Sequence, residues 1–158
     1  MEKLRNPYDA MPGYNCFGCA HHNPNGLKME FYIDGQDVVS VWKPGEHFQG
    51  YGNVLHGGVL AALLDEIGAW AVMVKLETAG VTQEMTVRYH KTAFAHQGAL
   101  TLRAGVAKRD GNLTTVHGRI FDAGGTMTTD ADLRYFLFPE HIAKKRLSYP
   151  GVEAFLPE

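Results

Sequence analysis

The residues best suited to chemistry concentrate in one stretch, His56-Gly57-Gly58-Val59-Leu60-Ala61-Ala62-Leu63-Leu64-Asp65-Glu66. The pattern predicts a long helix over roughly 57–77, and at about 100° per residue it divides into two faces. Leu60, Leu63, Leu64, Ile67, Trp70, Ala71 and Val74 make a bulky face suited to burial. Gly58, Ala61, Ala62, Asp65, Gly68, Ala69 and Val72 make a small face with one carboxylate at its middle. Small residues admit another backbone, a ligand or a second copy of the helix. A carboxylate partly desolvated on such a face gains basicity, as a general base or nucleophile requires. The plainer alternative is an Asp that hydrogen-bonds a neighbouring loop. Glu66 points about 100° away, toward solvent or the rim, and is the second choice.

The helix start supplies a complementary feature. Gly57 and Gly58 present backbone N–H groups at the positive end of the helix dipole. Such groups suit a carbonyl oxygen that becomes an oxyanion, with His56 before them as an orienting group. Equally, the glycines can make a tight loop-to-helix junction and no more. Gly57 and Asp65 lie roughly 12 Å apart along the axis, too far for one helix to bring both to one carbon. Two antiparallel copies packed through their small faces bring one subunit's Gly57 to the other's Asp65. The expectation is a two-fold dimer with two composite sites.

The elements that must position these residues are readable around them. The 158 residues read as a single domain over 1–158, with an irregular lead-in over 1–26 punctuated by Pro7, Pro12, Gly13, Gly18, Pro24 and Gly26. Strands are predicted over 27–33 and 38–42 around the turn signal Asp34-Gly35, followed by a Gly-rich loop and the helix. Then period-two patterning predicts strands over 81–89, 99–108, 113–121 and 126–138, and a short polar tail with Lys144, Lys145 and Arg146 closes the chain. One long helix against an antiparallel sheet is an α+β layer arrangement.

Composition excludes several classes. The formal net charge of -2 gives no reason to expect a nucleic acid or an anionic membrane as partner. No apolar run approaches the roughly 20 residues of a membrane span, and the opening Met1-Glu2-Lys3-Leu4-Arg5-Asn6-Pro7 has no signal-peptide core, so a cytoplasmic, reduced setting is expected. Cys16, Cys19, His21 and His22 offer four zinc donors, but adjacent histidines converge poorly on one ion beside Cys19. No metal is expected. Nothing matches a P-loop, a dinucleotide fingerprint or a serine nucleophile elbow.

The element order, with His56-Gly57-Gly58 followed after six intervening residues by Asp65-Glu66, resembles the PaaI-like branch of the hot-dog thioesterases. The resemblance takes in nearly the whole chain, including Cys16-Phe17-Gly18-Cys19, Asn23-Pro24-Asn25-Gly26-Leu27 and Phe48-Gln49-Gly50-Tyr51-Gly52. It implies a long helix wrapped by a curved antiparallel sheet, in dimers that often pair as tetramers. The implied activity is hydrolysis of an acyl-CoA thioester to free acid and CoA, with no cofactor. On that likeness Gly57 donates to the thioester carbonyl, and Asp65 of the partner subunit acts as base or nucleophile. Thr82 assists attacking water, although it reads equally as a β-branched residue opening a strand. Arg88, His90 and Lys91, with Lys108 and Arg109, sit where they could meet CoA phosphates, or be ordinary solvated charges. Gly58 and Glu66 flank the reacting group, and Phe48, Tyr51, Trp70 and Met73 are expected to line the acyl tunnel. The chain departs from the family pattern at Gly50, where some relatives carry Asn, and at Thr92-Ala93, where relatives often have Pro-Ala. A non-catalytic acyl-CoA or small-ligand binding protein, or a hot-dog dehydratase acting on hydroxyacyl thioesters, are the alternatives.

Overall fold

The computed structural model describes residues 1–157. Its strands are β1 (Glu2–Lys3), β2 (Tyr32–Asp34), β3 (Asp37–Trp42), β4 (Gly80–Tyr89), β5 (Leu100–Asp110), β6 (Leu113–Phe121) and β7 (Met127–Leu137). They form one sheet in the order β1-β2-β3-β5-β6-β7-β4, with every neighbouring pair antiparallel. Gly35 and Gly111, at φ of +60° and +61°, begin the two-residue turns that join β2 to β3 and β5 to β6. A type II′ turn places positive φ at that first position, which glycine adopts without a Cβ clash.

The helix α1 (Gly57–Lys75) packs against β3, β4, β5, β6 and β7. Its whole predicted bulky face is buried, against Leu100, Leu102, Val116, Ile120 and Leu133 of the sheet. Each fully buried Leu or Ile contributes on the order of 1.5–3 kcal/mol relative to exposure. The sheet wraps further than the two-face division predicts, because Gly68 and Val72 are buried as well. A Cβ on Gly68 would lie 2.4 Å from the Tyr135 hydroxyl oxygen, so absence of a side chain sets how closely α1 approaches β7. The open part of the small face narrows to exposed Gly58 and half-buried Ala61, Ala62, Asp65 and Ala69. By length and composition α1, at 19 residues, is apolar enough to cross a membrane, contrary to the expectation that no run comes close. Here that apolar surface faces the sheet.

Two terminal segments differ from expectation. Lys28 takes a left-handed φ of +54°, which interrupts an extended run, and the neighbouring N–H groups pair with the lead-in: Leu27 N to Phe17 O at 2.7 Å and Met29 N to Gly18 O at 2.9 Å. The strand expected over 27–33 therefore shrinks to β2. The tail is not merely polar, since it forms α2 (Glu140–Leu147) and buries Ala143, Tyr149 and Phe155. Phe155 meets Trp70 edge-on at 5.4 Å, and Trp70 stacks on Phe31 at 4.1 Å, so lead-in, helix and tail share one aromatic cluster.

Candidate active site

Strand β4 ends the sheet beside the open part of α1. Its pairing to β7 shifts register between Thr82 and Glu84, a bulge of the kind that re-aims a side chain. Thr82 Oγ1 donates to Asp65 Oδ1 at 2.8 Å. The buried Tyr135 hydroxyl donates to the Asp65 backbone oxygen at 3.1 Å and braces that turn of α1 from beneath, and burial holds its phenol well above the ordinary range.

At the helix start the N–H groups are shared out unequally. His56 Nδ1 accepts from Gly58 N at 2.9 Å, and His56 O accepts from Val59 N and Leu60 N. His56 is thus the N-cap, satisfying a donor that the first helical turn would leave unpaired. Gly58, expected at the substrate, has its N–H engaged by that ring. The N–H of Gly57 donates to no group among the described residues. The Tyr89 hydroxyl donates to Gly57 O at 2.7 Å and fixes the next peptide, between Gly57 and Gly58.

Beside Gly57 opens a cavity of about 340 Å³ lined by Leu55, Gly57, Leu60, Tyr89, His90 and Lys91, among others. Of the expected basic residues, His90 and Lys91 border this cavity. Arg88 does not. Its guanidinium binds Asp130 through Nε at 3.0 Å and Nη2 at 2.7 Å, and Asp132 at 2.9 Å, so two carboxylates already compensate it. Asp130 also faces His90 Nε2 at 2.6 Å. The Arg88 guanidinium above all, with the His90 ring, holds the Asp130 carboxyl down to about 2 despite its burial. Lys108 and Arg109 lie at the β5–β6 end and do not line the Gly57 cavity.

Glu66 does not reach solvent or the rim. It turns under the lead-in, where Trp70 Nε1 donates to Oε1 at 3.1 Å and Cys16 Sγ lies 3.7 Å from Oε2. Burial, then the Cys16 sulfur, pushes its carboxyl up to about 7. The Cys16 thiol is held down to about 5, first by the Cys19 side chain and also by the Cys19 and Gly18 N–H groups, while Cys19 is pushed upward. Next to Glu66 is a second cavity, of about 360 Å³, bordered by Tyr14, Cys16, Cys19, Ala69, Trp70 and Met73. Trp70 and Met73 border this cavity, five and eight residues along α1 from Asp65. Phe48 packs on Trp42 at 5.3 Å and borders a different hollow with Leu27, and Tyr51 is 85% exposed, so neither lines this space. His21 pairs with Asp9 and His22 with the Tyr14 carbonyl, so the four-donor set Cys16, Cys19, His21 and His22 does not assemble. Tyr89, Asp130 and Tyr135 escaped the sequence reading because their roles come from register across the sheet, which local periodicity does not carry.

Residues 52–129, from the loop before α1 into β7, match the thioesterase superfamily. A solved superfamily protein superposes with a TM-score of 0.69 at 24% identity, covering 74% of this chain and 57% of that one, so this chain spans little more than half of that relative's length. A hypothetical thioesterase protein from Streptococcus pneumoniae, solved with coenzyme A, gives a TM-score of 0.65 at 22% identity over 71% of this chain and 87% of that one. A Streptococcus mutans protein bound to acetyl CoA gives 0.66 at 14% identity over 83% and 98%. These likenesses show the fold, the α+β hot-dog arrangement of the thioesterase superfamily. Further structures of the pneumococcal protein carry alanine at an aspartate and at a threonine. No curated protein matches the sequence.

Proposed function

We propose that this protein is a member of the thioesterase superfamily and an acyl-CoA thioesterase of its PaaI-like branch, working as a two-fold homodimer whose dimers can pair. The observation that carries the reading is the Asp65 carboxylate, held by Thr82 on the one open stretch of α1. The thioester carbonyl oxygen accepts the Gly57 N–H. Water attacks the carbonyl carbon and gives its proton to Asp65, or Asp65 attacks directly and water then releases the acid. The oxyanion forms against Gly57 N–H at the positive end of α1, and the CoA thiolate leaves with the bonding pair. A thiolate is a good leaving group, so one carboxylate and one fixed donor suffice.

His90 and Lys91 are placed to meet the phosphates of CoA at the mouth of the Gly57 cavity. The presence of coenzyme A and acetyl CoA in two fold relatives supports that ligand class. The pneumococcal variants remove the two residue types that pair here as Asp65 and Thr82. The dimer reading rests on β4, a ten-residue edge strand with Val81 44% and Tyr89 53% exposed. A long open edge is a template for pairing with a second chain.

The test is release of free thiol from a panel of acyl-CoAs by the wild type and by Asp65→Asn. The reading requires release by the first and none by the second, with fold and dimer unchanged. Binding without release by the wild type would instead favour a carrier, and a strictly monomeric active enzyme in ultracentrifugation would refute the composite site.

A further inference from the structure

Apart from the Asp65 site, chemistry-bearing side chains gather where the lead-in meets α1. Cys16 and Cys19 end a Cys-x-x-Cys turn, and Glu66 comes from the helix. One donor atom from each lies within 4.8 Å of the other two. We propose that Cys16, Cys19 and Glu66 bind a borderline-soft divalent cation such as zinc, its remaining coordination position facing the cavity beside Met73.

The spacing fits the ion. Zinc bonds of about 2.3 Å to sulfur and 2.0 Å to oxygen, at a tetrahedral angle, place sulfur and oxygen about 3.5 Å apart. Cys16 Sγ lies 3.8 and 3.7 Å from the two Glu66 oxygens. Polar groups also lie against both sulfurs: Gly18 N donates to Cys16 Sγ at 3.3 Å, and the Tyr14 hydroxyl, able to donate to a thiolate, lies 2.9 Å from Cys19 Sγ.

An outer partner orients the carboxylate. Trp70 Nε1 donates to Oε1, which leaves Oε2 for a cation. Close approach of turn and helix depends on Gly18, where a Cβ would lie 2.3 Å from Glu66 Cδ. Two sulfurs with one oxygen select zinc over magnesium or calcium, whose shells are all oxygen. The cavity of about 360 Å³ gives the fourth position room for water or another small donor.

The competing fate of a Cys-x-x-Cys turn is a disulfide, and the experiment separates the two. The full untagged chain, reduced and stripped with chelator, is titrated anaerobically with cobalt(II), whose tetrahedral thiolate complexes are coloured. One equivalent is expected to raise sulfur-to-cobalt charge-transfer bands and strong visible d–d bands, both abolished by added zinc. Cys16→Ser and Cys19→Ser should each weaken the charge-transfer bands, while Glu66→Gln should keep both sulfurs and lower affinity at least tenfold. His21→Ala and His22→Ala should change nothing. Circular dichroism and a thiol count establish that each variant is folded and reduced. A folded, reduced wild type without charge-transfer bands at one equivalent overturns the site. So do bands that survive both cysteine replacements, bands lost with either histidine, or an affinity unchanged in Glu66→Gln.

Discussion

Thr82 Oγ1 donates to Asp65 Oδ1 at 2.8 Å, from a bulge in the edge strand to the open side of the central helix. Hydrogen bonds to a charged group contribute about 1.5–3 kcal/mol, enough to hold a carboxylate in one rotamer. Asp65 Oδ2 accepts nothing among the described residues and remains free for water. Asp65→Asn keeps the shape and removes the base, and kcat should fall by about 10²–10⁴-fold. Thr82→Val should lower kcat roughly tenfold, in line with loss of a bond worth about 1.4 kcal/mol, while Thr82→Ser stays near wild type. Steady-state kinetics on one acyl-CoA decides this, and a Thr82→Val enzyme as fast as wild type would remove Thr82 from the mechanism.

Gly57 allows an unusual deletion of a single backbone donor. It is the first residue of α1, a position that favours proline, and its N–H has no partner among the described residues. The preceding His56 sits at φ -63° and ψ 132°, an extended conformation compatible with a following proline. Gly57→Pro should therefore fold and lose the oxyanion donor, lowering kcat by about 10²–10³-fold. Thermal melts with kinetics check both halves. A stable Gly57→Pro enzyme with full activity would place the oxyanion elsewhere.

Local pattern carried the frame of this molecule and failed where distant segments meet. The apolar repeat of α1 and the glycine turns at Gly35 and Gly111 are encoded within a few residues, and those elements fell within a few positions of expectation. The strand expected over 27–33 and the polar tail depart from expectation where Phe31, Tyr149 and Phe155 find their partners across the chain, at Trp70 and Met73. The angle of Glu66 on the helix points it toward solvent or the rim, but Cys16 and Gly18, 50 and 48 positions earlier, cover it. The pairing of Arg88 with Asp130 depends on the β4–β7 register, so no reading of either strand alone reveals that this cation is already compensated.

Gly68 shows how tightly α1 is seated. In a helix interior Gly→Ala ordinarily gains about 1 kcal/mol. Here the new Cβ would sit 2.4 Å from the Tyr135 hydroxyl, and overpacking of this kind costs about 1–3 kcal/mol. Gly68→Ala should therefore be net destabilising. Tyr135→Phe loses the bond to Asp65 O, about 1 kcal/mol, but also removes the obstructing oxygen. The double variant should be more stable than the two single effects added together. Urea midpoints of the four proteins test this, and simple additivity would mean the helix shifts to make room.

Acid sensitivity should be traceable to Asp130. Its folded carboxyl is held at about 2, against an ordinary 3.8, by Arg88 and His90. As pH falls the unfolded chain takes up the proton first, so the stabilisation is complete above the ordinary value and is lost as pH drops through the folded value. Wild-type urea midpoints should therefore decline between about pH 4 and 2. Asp130→Asn should be less stable at pH 6, flatter across that window, and similar to wild type near pH 2. Parallel pH profiles for the two proteins would show that the Arg88 pair contributes nothing to folding.

The composite site can be tested without a structure of the dimer. Gly57 and Asp65 are about 12 Å apart along one helix, so the proposed chemistry needs Gly57 of one chain with Asp65 of the other. Gly57→Pro and Asp65→Asn are each expected to be inactive as homodimers. In a mixed dimer, one site collects both lesions and the other joins two unaltered residues. If equal amounts exchange subunits freely, half the dimers are mixed and each carries one intact site, so about a quarter of wild-type activity should return. A site built within a single chain predicts no recovery at all. Brief partial unfolding and refolding of the mixture, followed by the thiol-release assay, distinguishes the outcomes. Recovery near zero, with mixed dimers demonstrated by mass spectrometry, would move both groups onto one subunit and end the two-fold mechanism.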